Sequence, residues 1–119
     1  MKRRIAALAV ASALAALALT ALGQAATPKL VGTSGPSFSI KVTKGGKLVK
    51  TLKHGTYKIV VHDKSSAHNF HLFGPGLSKK TGVPFIGTNT WTVKLKKGKY
   101  TYQCDIHAAT GMKGSFKVI

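Results

Sequence analysis

Glutamate is absent from this 119-residue sequence, and Asp63 and Asp105 are its only acidic residues. Lysine and arginine together number 19, so the formal net charge at pH 7 is +17. The sequence offers no pair of carboxylates of the kind that glycosidases use as acid and base. A nucleophile–base set and a phosphate-binding loop are missing as well. These absences count against an enzyme.

Cysteine occurs once, at Cys104, which excludes a disulfide within the chain. A free thiol in an oxidising compartment needs a reason to persist, and burial, pairing between chains and metal ligation are the three alternatives. The compartment therefore bears directly on what Cys104 does.

The first residues have the organisation of a secretory signal peptide. Residues 2–4 are basic, an apolar run covers Ile5 to Leu22, and the small residues of TALGQAAT follow. We predict a signal peptide over residues 1–26 and an extracytoplasmic location, either periplasmic or secreted to the cell surface. Retention as a membrane anchor is the alternative, because the run is about 18 residues long and a helical span needs about 20.

Removal of three basic residues with the signal peptide would lower the net charge from +17 to +14. The remaining chain of about 95 residues is enough for one domain with a modest core, and we expect a monomer. Its charge favours anionic partners, such as an acidic protein or an anionic membrane or cell-wall surface. Export argues against nucleic acid. The lysines are also spaced singly, which is typical of solvated strand faces.

No segment after the signal peptide has a convincing helical period. Residues 27–36 are predicted to form a linker, and residues 37–119 a single domain. Within that domain, apolar residues alternate with polar ones in five short runs, a pattern typical of half-buried strands. Turn sequences such as KGGK at 44–47 separate the runs. We therefore predict an all-β sandwich or barrel. The alternating residues are Phe38, Ile40 and Val42; Tyr57, Ile59 and Val61; Trp91, Val93 and Leu95; Tyr100, Tyr102 and Cys104; and Phe116 and Val118.

The segment CDIHAATGM gathers Cys104, His107 and Met112 between two predicted strands. A loop at this position can direct all three side chains to one point. Thiolate and thioether are soft ligands and imidazole is intermediate, so the set suits copper and discriminates against calcium, magnesium and manganese. Each residue alone would have an ordinary explanation as a buried thiol, a loop histidine or core filling.

A trigonal copper site needs a second imidazole, and SSAHNFHLF contains two candidates, His68 and His71. In an extended chain His68 shares a face with Phe70 and Leu72, whereas His71 points the other way, so we favour His68. His54 and His62 are interpreted as ordinary turn and strand histidines. Zinc could occupy a Cys–His–His set, but a thioether as fourth ligand favours copper.

The pairing of His68-Asn69 with YTYQCDIHAATGMKGSFKV resembles the plastocyanin-type members of the cupredoxin family. The resemblance covers residues 55–119 and implies a Greek-key β-sandwich, one type 1 copper ion and transfer of single electrons. It also implies that His68, Cys104 and His107 are equatorial ligands and Met112 the axial ligand. Asn69 would tie the two ligand loops together. Ile106 departs from the proline usual before the loop histidine, and acidic surface patches have no counterpart.

The resemblance predicts an exported carrier of single electrons that docks redox partners, with acidic docking surfaces, over the edge of His107. A copper carrier or scavenger using the same residues is the alternative. A copper oxidase or reductase would need additional histidine-rich sites, which five histidines cannot supply. We expect an apolar contact patch around His107 formed by Phe73, Pro75, Leu77, Ala108 and Ala109.

Overall fold

The computed structural model describes residues 26–119, so the predicted signal peptide lies outside the described residues except for its last one. The described chain forms ten strands. These are β1 (Lys29–Ser34), β2 (Ile40–Lys44), β3 (Lys47–Leu48), β4 (Thr51–Leu52), β5 (Gly55–Asp63), β6 (His71–Gly74), β7 (Leu77–Lys80), β8 (Gly87–Leu95), β9 (Gly98–Gln103) and β10 (Lys113–Val118). A single 3-10 turn, Ala108–Thr110, lies between β9 and β10.

The strands build two sheets of five. One has the order β3-β2-β1-β5-β8 and the other β4-β10-β9-β6-β7. Pairing is antiparallel except between β1 and β5 and between β4 and β10, which run parallel. The chain therefore crosses between the sheets several times, and the predicted all-β, Greek-key sandwich is confirmed.

The core lies between the sheets and follows the period-two pattern of the sequence. Along β5, the side chains of Tyr57, Ile59 and Val61 are buried while the residues between them face outward. Tyr100 and Phe116 stack in the facing sheet with ring centroids 5.7 Å apart. Burial of such side chains contributes about 1.5–3 kcal/mol each, which makes this layer the main source of stability.

The prediction of a linker over residues 27–36 is corrected by the structure, because most of this segment is β1. The strand lies between β2 and β5, with Leu30 and Ser34 fully buried. The inward position between them is Gly32, where a Cβ atom would lie 2.7 Å from Cζ of Phe70. Glycine and serine at inward positions weaken the apolar alternation, which is why the sequence pattern misses this strand.

Four loops meet at one end of the sandwich, which we call the upper end: residues 35–39, 64–70, 81–86 and 104–112. The β2–β3 turn, with positive φ at Gly45 and Gly46 as predicted for KGGK, lies at the lower end. Among residues 26–119, the structure contains no helix with the length and apolar character of a membrane span.

Candidate metal centre

Three of the four predicted ligands meet at the upper end. Nδ1 of His68 lies 2.9 Å from Nδ1 of His107. Sγ of Cys104 lies 3.7 Å from Nδ1 of His68 and 3.6 Å from Nδ1 of His107. Cys104 and His68 are buried and His107 is half-buried, so the three residues form a possible metal site with one edge toward solvent.

The triangle of donor atoms has the size that a single cation requires. A triangle with sides of 2.9, 3.6 and 3.7 Å has its centre about 2 Å from each corner. This is close to the lengths of zinc–nitrogen bonds, roughly 2.0–2.1 Å, and of zinc–sulfur bonds, roughly 2.3 Å, in proteins. One thiolate and two imidazoles are ligands for copper or zinc rather than for calcium or magnesium.

The loop carrying two of these donors is fixed by its own backbone. Cys104 follows β9 directly, and its N–H donates to the carbonyl of Met112 at 3.0 Å, which closes the loop at its base. The N–H of His107 donates to the carbonyl of Cys104 at 3.2 Å. The carbonyl of His107 in turn accepts from the N–H groups of Thr110 and Met112. The imidazole is therefore held on a tight turn beside the thiol.

Met112 lies at the end of the same loop, just before β10, with its side chain 2 % exposed. Both its backbone groups bond to the loop, the carbonyl to Cys104 and the N–H to His107. The role of Met112 as axial ligand stays a prediction.

Asn69 connects the loop of His68 with the loop of Cys104, as the resemblance implies. Its Oδ1 accepts from the backbone N–H of Asp105 at 2.8 Å. Its Nδ2 donates to Oδ2 of Asp105 at 3.0 Å and to the carbonyl of Thr81 at 3.3 Å. The side chain thus spans three loops, and it adjoins His68 in sequence.

Asp105 is a second connection that the sequence did not reveal. Partial burial acts to raise the pKa of Asp105, but hydrogen bonds from Gln103, Asn69 and His71 outweigh it and lower the pKa to about 2. His71 approaches the carboxylate through Nδ1 at 2.8 Å and reaches Oγ of Ser78 through Nε2 at 2.9 Å. His71 is therefore turned away from Cys104, as the alternation along the strand predicts. In the sequence, the only indication that Asp105 belongs to the centre is its position next to Cys104.

The two other histidines have the ordinary roles predicted for them. Nδ1 of His54 bonds to the carbonyl of Ile119 at 3.0 Å, and Nδ1 of His62 bonds to Oγ1 of Thr88 at 3.0 Å. His54 lies in the lower half of the sandwich, while His62 faces outward from β5.

The predicted contact patch around His107 and the predicted strand position of Phe38 are both wrong. Pro75 lies at the lower end, where Cγ is 2.8 Å from a Cβ built on Gly98, and Phe73 and Leu77 flank the same hairpin. They cannot form a contact patch beside His107. Phe38, predicted to lie in a strand with Ile40 and Val42, instead precedes β2 and is 71 % exposed. Its ring contacts the imidazoles of both His68 and His107.

No protein family model matches the chain, and no curated protein does so either. Among solved structures, the chain resembles rusticyanin from Thiobacillus ferrooxidans with a TM-score of 0.56, at 24% identity over 81% of this chain and 79% of that chain. Auracyanin from the photosynthetic bacterium Roseiflexus castenholzii gives a TM-score of 0.55, at 20% identity over 81% of this chain and 99% of that chain.

A multi-copper oxidase from Pediococcus acidilactici also resembles the chain, with a TM-score of 0.52 and 18% identity over 81% of this chain but 26% of that chain. Rusticyanin and auracyanin are cupredoxins. At these identities the comparisons establish the fold alone, and the predicted likeness to cupredoxins is confirmed at that level.

Proposed function

We propose that this protein is a small exported type 1 copper protein that carries single electrons by cycling one ion between Cu(II) and Cu(I). The observation that carries the proposal is the triangle formed by Sγ of Cys104 and the Nδ1 atoms of His68 and His107. Its size fits one cation, and its donors suit copper in both oxidation states.

Copper in this site would supply one-electron redox chemistry. Cys104, His68 and His107 would hold the ion, and the thioether of Met112 would be the weak fourth donor. The chain's contribution is rigidity. Backbone hydrogen bonds within residues 104–112 and the side chain of Asn69 keep the donor atoms in one arrangement, so little needs to move when the charge of the ion changes.

The edge of His107 is the proposed path for the electron, because this imidazole is half-buried whereas Cys104 and His68 are buried. A redox partner with an acidic docking surface would be attracted over long range by the strongly positive net charge, while the loops around His107 themselves contain one lysine, Lys64. The exposed side chain of Ile106, next to His107, would add apolar contact there. Such contacts are small in complexes that must dissociate quickly.

The solved structures support this proposal by analogy. Rusticyanin is a copper protein, and crystals of reduced rusticyanin and of dithionite-reduced auracyanin are known. The proposed location is extracytoplasmic, which rests on the sequence of residues 1–26.

The test is to add Cu(II) to the purified protein and to record the visible spectrum and the kinetics of reduction. An intense blue band that is lost in Cys104→Ser and His68→Ala is expected, since both remove an equatorial donor. His62→Ala is the matched control, because His62 bonds to Thr88 away from the centre. A colourless copper complex would contradict the proposal.

Met112→Leu tests whether Met112 is the weak axial ligand rather than a ligand that is essential for copper binding. It should retain copper but raise the reduction potential, because the weak donor that helps to stabilise Cu(II) is gone. Loss of all copper affinity in this variant would contradict the axial assignment. A copper carrier would bind the metal and exchange it readily without fast, reversible reduction, so stopped-flow reduction decides between the two functions.

A further inference from the structure

The aromatic ring of Phe38 stands against the candidate metal centre on its solvent side. Its centroid lies 5.2 Å from that of the His68 ring and 4.8 Å from that of the His107 ring, with interplanar angles of 68° and 82°. Both are edge-to-face contacts, a favourable arrangement for aromatic rings. The same side chain is nevertheless 71 % exposed to solvent.

The loop that carries Phe38 is fastened to the centre. The N–H of Gly35 donates to the carbonyl of Ser39 at 2.9 Å, which closes the loop on itself. Oγ of Ser34 donates to the carbonyl of Asn69 at 2.9 Å, and the carbonyl of Ser34 accepts from the N–H of Lys64. Ser34, the strand residue from which the loop begins, therefore bonds to both sides of the segment that contains His68.

The loop also approaches His68 too closely for a larger residue at position 35. A Cβ atom on Gly35 would lie 3.2 Å from Cδ2 of His68, and Gly35 has a φ of +74°. Glycine thus permits both the turn and the close approach. The loop of residues 35–39 packs against the imidazole as a third wall of the centre, beside the loops of His68 and Cys104.

From these contacts we infer that Phe38 is a positioning residue for the metal centre. Its ring holds the two imidazoles in the orientation that converges on Sγ of Cys104, and it limits the access of water and small chelators from the solvent side. This inference rests on the proposed function only in its copper-dependent part. The contact with the imidazoles is a property of the metal-free protein.

The first experiment therefore needs no metal. In proton NMR spectra of the metal-free protein, the ring current of Phe38 displaces the imidazole resonances of His68 and His107. Phe38→Leu keeps an apolar side chain but removes the ring current, so these resonances should move while those of His54 and His62 stay in place. Unchanged His68 and His107 resonances would overturn the inference.

The second experiment uses the copper-loaded protein. In Phe38→Ala, transfer of Cu(I) to an excess of bicinchoninate should be about tenfold faster, because loss of a supporting residue around a metal commonly costs 10–100-fold in affinity. The reduction potential should fall, because added water favours the more highly charged ion. Phe38→Leu should transfer copper at a rate between those of wild type and Phe38→Ala.

Leu48→Ala is the matched control for the loss of an exposed apolar side chain. Leu48 is 56 % exposed and lies on β3 at the lower end, so neither copper transfer nor potential should change. A Phe38→Ala variant with the wild-type rate and potential would overturn the inference. If the NMR displacements occur but copper gives no blue band, the contact of Phe38 is supported and the proposed function fails.

Discussion

The amide of Asn69 satisfies its hydrogen-bonding groups entirely with two neighbouring loops. It accepts from the N–H of Asp105 and donates to Oδ2 of Asp105 and the carbonyl of Thr81. Asn69 is 2 % exposed, so water cannot replace these partners. A buried polar group that loses its partner costs about 1–3 kcal/mol, which makes this one side chain a large part of the rigidity of the upper end.

We therefore expect Asn69→Ala to lower the free energy of unfolding of the metal-free protein by about 1–3 kcal/mol, since it leaves the N–H of Asp105 and the carbonyl of Thr81 without their partner. Urea denaturation followed by fluorescence measures the change. Asn89→Ala, on β8 in the other sheet, is the control and should change the free energy by less than about 0.5 kcal/mol. Equal effects of the two substitutions would show that Asn69 is not a special connection.

Among single residues, the sequence predicted the candidate ligands because cysteine, histidine and methionine are uncommon in this chain and lie close together. Cys104, His107 and Met112 share one loop, and treating residues 68–72 as extended favoured His68 over His71, although the strand itself begins at His71. Phe38 and Asp105 could not be found in this way. Their contacts join segments more than 25 residues apart, and nothing local in the sequence distinguishes an aromatic ring against a metal centre from one in a core.

Among the elements, the segment from Cys104 to Met112 depends on a backbone turn that only glycine adopts easily. Gly111 ends the 3-10 turn with φ of 102° and ψ of 3°. A Cβ atom there would meet nothing within 4 Å, so space is not the constraint. The constraint is the positive φ, which directs the chain from His107 back to Met112.

Gly111→Ala should lower the free energy of unfolding by about 1–3 kcal/mol through backbone strain alone. Gly82→Ala is the matched control, because Gly82 lacks a positive φ and the nearest atom to its Cβ would be 3.8 Å away. That substitution should leave stability unchanged or raise it by about 0.4–1 kcal/mol. Chemical denaturation of both variants measures the difference, and a harmless Gly111→Ala would contradict the assigned role.

A buried carboxylate joins the ends of two strands from different sheets. Asp63, at the end of β5, is 1 % exposed and its Oδ2 accepts from Oγ1 of Thr81, just after β7, at 2.7 Å. Oγ1 of Thr81 also accepts from the N–H of Phe70 at 2.9 Å. The hydroxyl is thus donor and acceptor at once in a place without water contact.

Thr81→Val replaces this hydroxyl with a methyl group of similar size and leaves Oδ2 of Asp63 and the N–H of Phe70 without their partner. We expect a loss of about 2–4 kcal/mol in the free energy of unfolding, because one partner is a carboxylate. Thr81→Ser should recover most of the stability, and thermal unfolding of the two variants gives the comparison. A loss below about 1 kcal/mol in Thr81→Val would mean that Asp63 finds another donor.

The sequence predicted elements well where apolar side chains alternate and poorly where inward positions are small or polar. β5, β9 and β10 have clear alternation and were found. β1 places Leu30, Gly32 and Ser34 inward, so its burial depends on the Phe70 ring that covers Gly32 and on the hydrogen bond of Ser34 to Asn69. Those partners come from a segment more than 30 residues away, beyond the reach of a local pattern.

Over the whole molecule, positive charge is distributed unevenly. The four loops of the upper end contain one lysine, Lys64, and the strand ends beside them add Lys41, Lys79, Lys80 and Lys113. Both acidic residues are already engaged, Asp63 with Thr81 and Asp105 with Asn69 and His71. The lower turns and adjoining strand ends contain a larger set, which is Lys44, Lys47, Lys50, Lys53, Lys96, Lys97, Lys99 and Lys117.

The net charge should still govern encounters with small charged reagents at low salt. Oxidation of the reduced protein by ferricyanide, an anion, should slow by about tenfold or more as ionic strength rises from 0.01 to 0.5 M, since salt screens the attraction. Oxidation by cationic tris(phenanthroline)cobalt(III) should accelerate over the same range. Stopped-flow measurements test both, and equal salt dependence for the two reagents would show that net charge does not steer the encounter.

The crowding of ammonium groups at the lower end gives the molecule a permanent electric dipole, with the positive pole opposite the histidines. In the field of a negatively charged interface this dipole experiences a torque that turns the lower end inward. An adsorbed molecule would then present Phe38 and the edge of His107 to the aqueous phase, where a diffusing protein could reach them.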